Sequence, residues 1–179
     1  MFGTPKTQTG VALFISLVML LVLTIIGISS VQTTSLEVRM TRNEHDSILA
    51  FQAAESALRD AEAVIETLAS TADFSDAGNN GFYNVADLGD EQAWQDDDIW
   101  TNENSRETET EIENVAAQPR YIIEYVASVL REANAYQLDD PYAASGGDRV
   151  EIFRITARGT GGTLNAQVTL QSNYGRILD

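Results

Sequence analysis

Cysteine is absent from this 179-residue chain, histidine occurs once, at His45, and lysine occurs once, at Lys6. The first absence removes disulfides, thiolate metal sites and cysteine nucleophiles together. A lone histidine leaves little for zinc centres or histidine-based triads, so an enzyme here would have to work with carboxylates, hydroxyls and arginine. Carboxylate pairs abound among 27 acidic residues, yet none sits in a glycosidase motif, and the GTGG string at Gly159 to Gly162 lacks the lysine and hydroxyl of a phosphate-binding loop. The reading is of a non-enzyme with no catalytic residue, metal or cofactor. Positive charge is scarce as well: 11 basic side chains give a net charge of −16, which repels phosphate backbones and disfavours nucleic acid as a partner. Proline and glycine are missing altogether between Ser29 and Ser70, so nothing there breaks a helix.

What is present is distributed unevenly. From Val11 to Ile28 the sequence VALFISLVMLLVLTIIGI carries no charge, and its polar side chains, Ser16 and Thr24, bond back to a helix backbone. Eighteen residues make roughly 27 Å of helix, close to the hydrocarbon thickness of a bilayer. Lys6 on the leader side puts that end in the cytoplasm, though Arg39 and Arg42 beyond the run weaken the charge bias. A cleavable secretory signal peptide is the alternative; it has a shorter apolar core and a break after it, and neither is found here. Instead Phe51, Ala54, Leu58, Ala61, Ile65 and Leu68 follow at spacings of three and four, which predicts one continuous helix of about 55 to 60 residues, apolar all round at first and amphipathic later. Gly27, Ser29 and Ser30 offer close approach or local bending within it.

A short polar leader ending in Gly10, an apolar helix from the next residue, and an amphipathic continuation are similar to the class III signal and N-terminal helix of type IV pilins. The stretch TSLEVRMTRNEHDSILAFQAAESALRDAE, Thr34 to Glu62, resembles the PilX-type minor pilins of type IVa pili, as does FRITARGTGGTLNAQVTLQS near the carboxyl terminus. The resemblance implies that a prepilin peptidase cuts after Gly10 on the cytoplasmic side and methylates the new amino terminus, Val11. It also draws attention to Ile15. Major pilins carry a glutamate at the fifth mature position, where it pairs with the methylated terminus of a neighbour inside an apolar filament core, a place where an unpaired charge is expensive. Counted from Val11, that position is Ile15. A subunit without the carboxylate suits the first place in a filament; the plainer explanation is that any apolar residue satisfies a membrane span.

Between Thr71 and Gln118 thirteen acidic residues face Arg106 alone, a net of −12. Glycines and asparagines make the segment read as loop with short ordered pieces, pinned onto the domain by Phe82, Tyr83, Trp94, Ile99 and Trp100. Asp96, Asp97 and Asp98 lack the ligand spacing of a calcium loop and read as solvated surface, and His45 as an exposed position on the helix. Past Pro119, RYIIEYVASVL is rich in β-branched and aromatic residues and predicts a strand. Pro141 and Gly146-Gly147 mark a loop, which no disulfide closes. RVEIFRITAR, a glycine-rich turn at GTGG, and NAQVTLQSNY then predict an antiparallel hairpin whose apolar face covers the helix stripe.

The expected architecture is α+β and pilin-like, a long N-terminal helix packed against a small antiparallel sheet of three or four strands. Its segments are a leader at 1–10, a membrane and filament-core segment at 11–31, an amphipathic helix at 32–70, an acidic loop region at 71–118 and the sheet at 119–179. The expected function is that of a minor pilin helping to initiate and cap type IV pili near the tip. Its partners are other minor pilins, the major pilin, the prepilin peptidase and a possible tip adhesin. It is anchored in the inner membrane with its folded part in the periplasm before assembly, and sits at the pilus tip afterwards. Two further readings stay open: a minor pseudopilin of a type II secretion system, and a membrane-anchored adhesin using Trp94 and Trp100 as ligand surface.

Overall fold

The computed structural model describes residues 9–101, 103–130 and 149–178. The predicted leader up to residue 8, with Lys6, and the predicted loop marked by Pro141 and Gly146-Gly147 lie outside the described residues. The chain divides into two units, residues 1–44 and 45–179.

The first unit, as far as it is described, is helix throughout, belonging to α1 (Thr9–Thr67, 59 residues). It holds an 18-residue apolar window with none of its residues buried, long enough to cross a membrane. Ser16 donates to the carbonyl of Leu13 at 2.8 Å and Thr24 to that of Leu20 at 2.7 Å. Both hydroxyls are thereby satisfied without water, which an apolar solvent demands.

In the second unit the remainder of α1 packs on a five-stranded sheet. The strands are β1 (Phe82–Asn84), β2 (Arg106–Glu107), β3 (Arg120–Leu130), β4 (Arg149–Thr160) and β5 (Gln167–Arg176), in the order β1-β3-β4-β5, with β2 also pairing β3. β3, β4 and β5 form the expected antiparallel meander. The sheet is mixed and not wholly antiparallel, because β1 pairs β3 in parallel, Phe82 opposite Ile123. Strands of three and two residues from the acidic segment are too short for any alternation to show.

Alternation decides which core each strand residue joins. Tyr121 and Ile123 of β3 with Phe153, Ile155 and Ala157 of β4 meet Ala57, Ala61 and Ile65 of α1. Phe74, from the loop after α1, completes this core by ring contacts with Phe82 at 5.0 Å and Phe153 at 5.6 Å. On the other face Ile122 packs with Tyr83 and Ile99, flanked by Ala93, Trp94 and Trp100. The acidic segment is therefore the second cover of the sheet, and the aromatic residues expected to pin it do so, Phe82 on the helix side and the others on the outer side.

The helix face turned to the sheet differs from the predicted stripe at its start. Phe51 is 47% exposed, while Ala50, Ala53, Ala54 and Ala57 are fully buried. Alanines are needed because β4 comes very close. A Cβ added to Gly159 would lie 2.2 Å from the carbonyl oxygen of Ala50, and one on Gly161 would lie 2.3 Å from that of Asp46. Gly159 is thus a strand residue against a helix backbone, and only the Gly161-Gly162 half of GTGG belongs to the expected turn, the connection 161–166 between β4 and β5. The chain reverses one step later, where the Thr163 amide and hydroxyl donate to the Asp46 carboxylate at 3.2 and 2.5 Å. These bonds hold the Asp46 carboxyl below the usual carboxylate range. At the far end of the strip Arg176 donates to the carbonyls of Ile65 and, at 3.0 Å, Leu68, occupying acceptors that a helix C-terminus leaves open.

Gly159→Ala is expected to destabilise the full-length chain by about 2 kcal/mol or more, since backbone atoms cannot yield as side chains do. Gly175→Ala, whose Cβ would meet the side-chain methyls of Val150 and Ile152 at 3.2 and 3.3 Å, costs clearly less. Thermal melts of both variants in detergent check the contrast; equal losses would refute the close-packing explanation.

Candidate functional site

Two surfaces differ from an ordinary globular exterior. The first is the apolar helix of the first unit. Gly10 belongs to α1, and nothing lies within 4 Å of a Cβ built on it. Val11 and Ile15 are 57% and 52% exposed, among neighbours such as Leu13, Phe14 and Leu17 that are exposed on every side. Apolar surface in that amount is stable only in lipid or against other helices. Ile15 offers its neighbours dispersion contacts and no charge.

The second is the outer layer of the folded unit. The segment around Phe82 to Trp100 lies on the sheet with Asp96, Asp97 and Asp98 all exposed. Asp96 accepts from the Asp98 amide at 2.9 Å, capping a short 3₁₀ turn (Asp97–Trp100), and Asp97 pairs with Arg158 at 3.3 Å. The aspartates therefore shape and fasten the turn. Among the described residues no group of three or more His, Cys, Asp or Glu side chains is placed to hold a metal ion. A concave surface of about 930 Å³, lined by Asp76, Asp87, Asp90, Glu91, Asp96 and Asp97 among others, is open and strongly acidic. Neither tryptophan stands free: Trp100 donates to the Trp94 carbonyl at 3.3 Å, and the Arg158 guanidinium lies 5.6 Å from the Trp100 ring centre. His45 is exposed, as expected.

Two features holding this layer were not singled out from sequence. Arg120 donates to Ser105 Oγ at 2.8 Å, Glu107 at 2.8 Å, and the carbonyls of Thr101 and Ser105 at 3.0 and 2.6 Å. One guanidinium thus ties down three residues of the acidic segment, Thr101, Ser105 and Glu107. Beneath it Glu124, in the middle of β3, is fully buried, and its carboxylate oxygens accept no hydrogen bond. The nearest cation, Arg154, is 4.0 Å away and is itself bonded to Gln92 at 2.9 Å. Burial raises the Glu124 carboxyl above its ordinary value, with Arg154 opposing. An acid within the apolar string YIIEYV was the available signal, a charge at a position whose neighbours are buried on both faces.

Because the folded chain holds the Glu124 proton more tightly than the unfolded chain, stability is full below the ordinary value of 4.5 and falls as the pH rises through the raised one. Glu124→Gln is expected to melt higher than the parent at about pH 8 and level with it at about pH 4. Melting curves of the two that coincide at both pH values would show that Glu124 stays paired or hydrated.

Comparison with known families matches residues 9–59 to the model described as PilX N-terminal and residues 68–176 to the one described as type IV pilus assembly protein PilX C-term. No curated protein and no solved structure matches the chain. The second match runs through the acidic segment as well as the sheet, so that segment lies inside the region of family similarity, where the motifs read from sequence stopped short of it.

Proposed function

The chain belongs to the PilX family of type IV pilus assembly proteins, a family of structural minor pilins, and from that premise we propose that it acts at the filament tip, helping to initiate and cap the pilus. The family association places it with other pilus components, and its apolar N-terminal helix fits a membrane-anchored pilin. The finer assignment rests on one observation, the uncharged Ile15 at the fifth position after Gly10. A glutamate there would dock a newcomer onto a subunit already in place by pairing with an amino terminus inside an apolar core. A subunit that lacks it has no terminus to seek and can be first.

In this proposal a prepilin peptidase releases residues 1–10 and methylates Val11. The helix holds the protein in the inner membrane with the folded unit in the periplasm, and assembly transfers its apolar surface from lipid to neighbouring helices. The partners are other minor pilins, then the major pilin, with a tip adhesin as a further candidate. The transfer is nearly neutral, lipid and helix being similarly apolar, so packing fit and a few polar contacts decide it.

Mass spectrometry of the mature amino terminus is expected to find methylated Val11; an intact leader, or cleavage beyond the apolar run, would contradict the processing. Labelling purified pili is expected to place the wild-type protein at one end and to find Ile15→Glu along the shaft. Wild-type protein spread evenly along filaments would sink the tip assignment. Loss of surface pili on deletion, with secreted proteins still exported, separates a pilus from a type II secretion machine.

A further inference from the structure

Arg39 and Arg42 stand apart from the other described arginines. Each of the rest is tied into the fold, by an ion pair, a hydrogen bond or a ring contact. Arg39 and Arg42 have no ion-pair or hydrogen-bond partner among the described residues, and both are exposed on α1. Three residues apart, they share one face of the helix. At about 100° per residue, Glu37 and Glu44 share the face about 180° away, and Asp46, four residues past Arg42 on the arginines' own face, is bonded to the Thr163 amide and hydroxyl. Val31, Ser35 and Val38 line a shallow groove with Arg39 and Arg42. That face therefore runs from apolar to basic along the helix.

The basic end falls at a definite depth if the helix lies in a membrane, the reading on which this inference rests. Residues 11–31 fill a hydrocarbon layer of about 30 Å at about 1.5 Å per residue. Arg39 then stands about 12 Å past Val31. Side chains lean toward the helix N-terminus, and a long arginine reaches back toward the interface. Its guanidinium arrives in the headgroup layer, which extends about 5 to 7 Å beyond the hydrocarbon, and that of Arg42, about 4.5 Å further along the axis, stands just outside the layer and meets the phosphate from the water side. A guanidinium there meets phosphate oxygens in the geometry it binds best. We infer that Arg39 and Arg42 form a binding site for the headgroup phosphate of an anionic phospholipid, one acyl chain lying along Val31 and the apolar turns before it. The site works in either membrane orientation, since it belongs to whichever leaflet meets the C-terminal end of the span. It also gives the unassembled subunit a fixed depth and a contact that has to be released when the helix leaves the bilayer.

The test reconstitutes the full chain in nanodiscs of phosphatidylcholine with a minor share of phosphatidylglycerol and counts co-purifying lipids by native mass spectrometry. The wild type is expected to retain phosphatidylglycerol above its share in the disc. Each basic side chain near an anionic surface contributes about fivefold, so Arg39→Gln/Arg42→Gln should remove most of the enrichment, while Glu37→Gln/Glu44→Gln keeps it. Unchanged enrichment in the arginine double variant overturns the proposal. So does displacement of the lipid by millimolar inorganic phosphate, which would mark a site for the free ion. If the double variant keeps its lipid and instead loses cross-linking to another pilus subunit, the arginines serve a protein contact and the proposal fails. A chain that alkaline carbonate strips from vesicles fails the membrane reading too; one that resists extraction but holds both lipids alike fails this inference alone.

Discussion

A side chain of even one carbon on Gly159 would collide with the backbone of α1 at Ala50 and Ala54, at 2.2 and 2.3 Å, and the rest of the folded unit depends on that proximity. Because helix and strand touch backbone to backbone at one end, the larger residues Ile65, Tyr121, Phe153 and Ile155 fill the space at the other, where the two diverge. The arrangement is wedge-like: alanine and glycine at the narrow end, aromatic rings at the wide end. It also fixes the sheet's rotation about the helix, since a wedge seats in one orientation only. The Thr163 bonds to Asp46 and the Arg176 bonds to the last carbonyls of α1 secure its two ends.

Much of this architecture is legible in the residues alone. The absence of proline and glycine from Ser29 to Ser70 and the recurrence of apolar residues give the long helix to within a few residues of its observed end at Thr67. β-branched and alternating runs give β3, β4 and β5 with similar fidelity. What fails is informative. Phe51 looks like a core residue and is exposed, because an alanine face, weakly hydrophobic by any scale, was the one that fitted against Gly159. GTGG looks like a turn because glycine usually is one, and its last two glycines do enter the turn; Gly159 instead serves close approach, a property of two elements that no local pattern encodes. β1 and β2 are recruited by the edge of β3 and have no periodicity of their own. Of the candidate site, Gly10, Val11 and Ile15 come from a resemblance, whereas the anchoring role of Arg120 and the isolation of Glu124 emerge only from tertiary packing.

The distribution of charge acquires a different meaning once the fold is known. The segment of thirteen acids, read from its aromatic residues as a loop pinned to the domain, is a cover with its own small core around Ile122. Arg120, Arg154 and Arg158, three of the seven described arginines of the second unit, reach from the sheet to hold it. Arg39 and Arg42, left out of this service, sit instead at the end of the apolar run. The chain thus divides its scarce positive charge between holding its own surface and meeting another.

Arg176 closes the C-terminus of α1 across 111 residues of sequence, with a consequence for the order of events during biosynthesis. A contact of that separation forms late, after the entropy of a long loop has been overcome. The apolar segment, by contrast, needs nothing downstream to fold into a helix within a membrane. The helix is consequently formed before the fold is finished, and the core becomes complete only when almost the whole chain has been made. A polypeptide interrupted between α1 and β5 keeps its apolar helix and lacks the last strand, leaving the edge of β4 and the last carbonyls of α1 unpaired and so open to proteolysis.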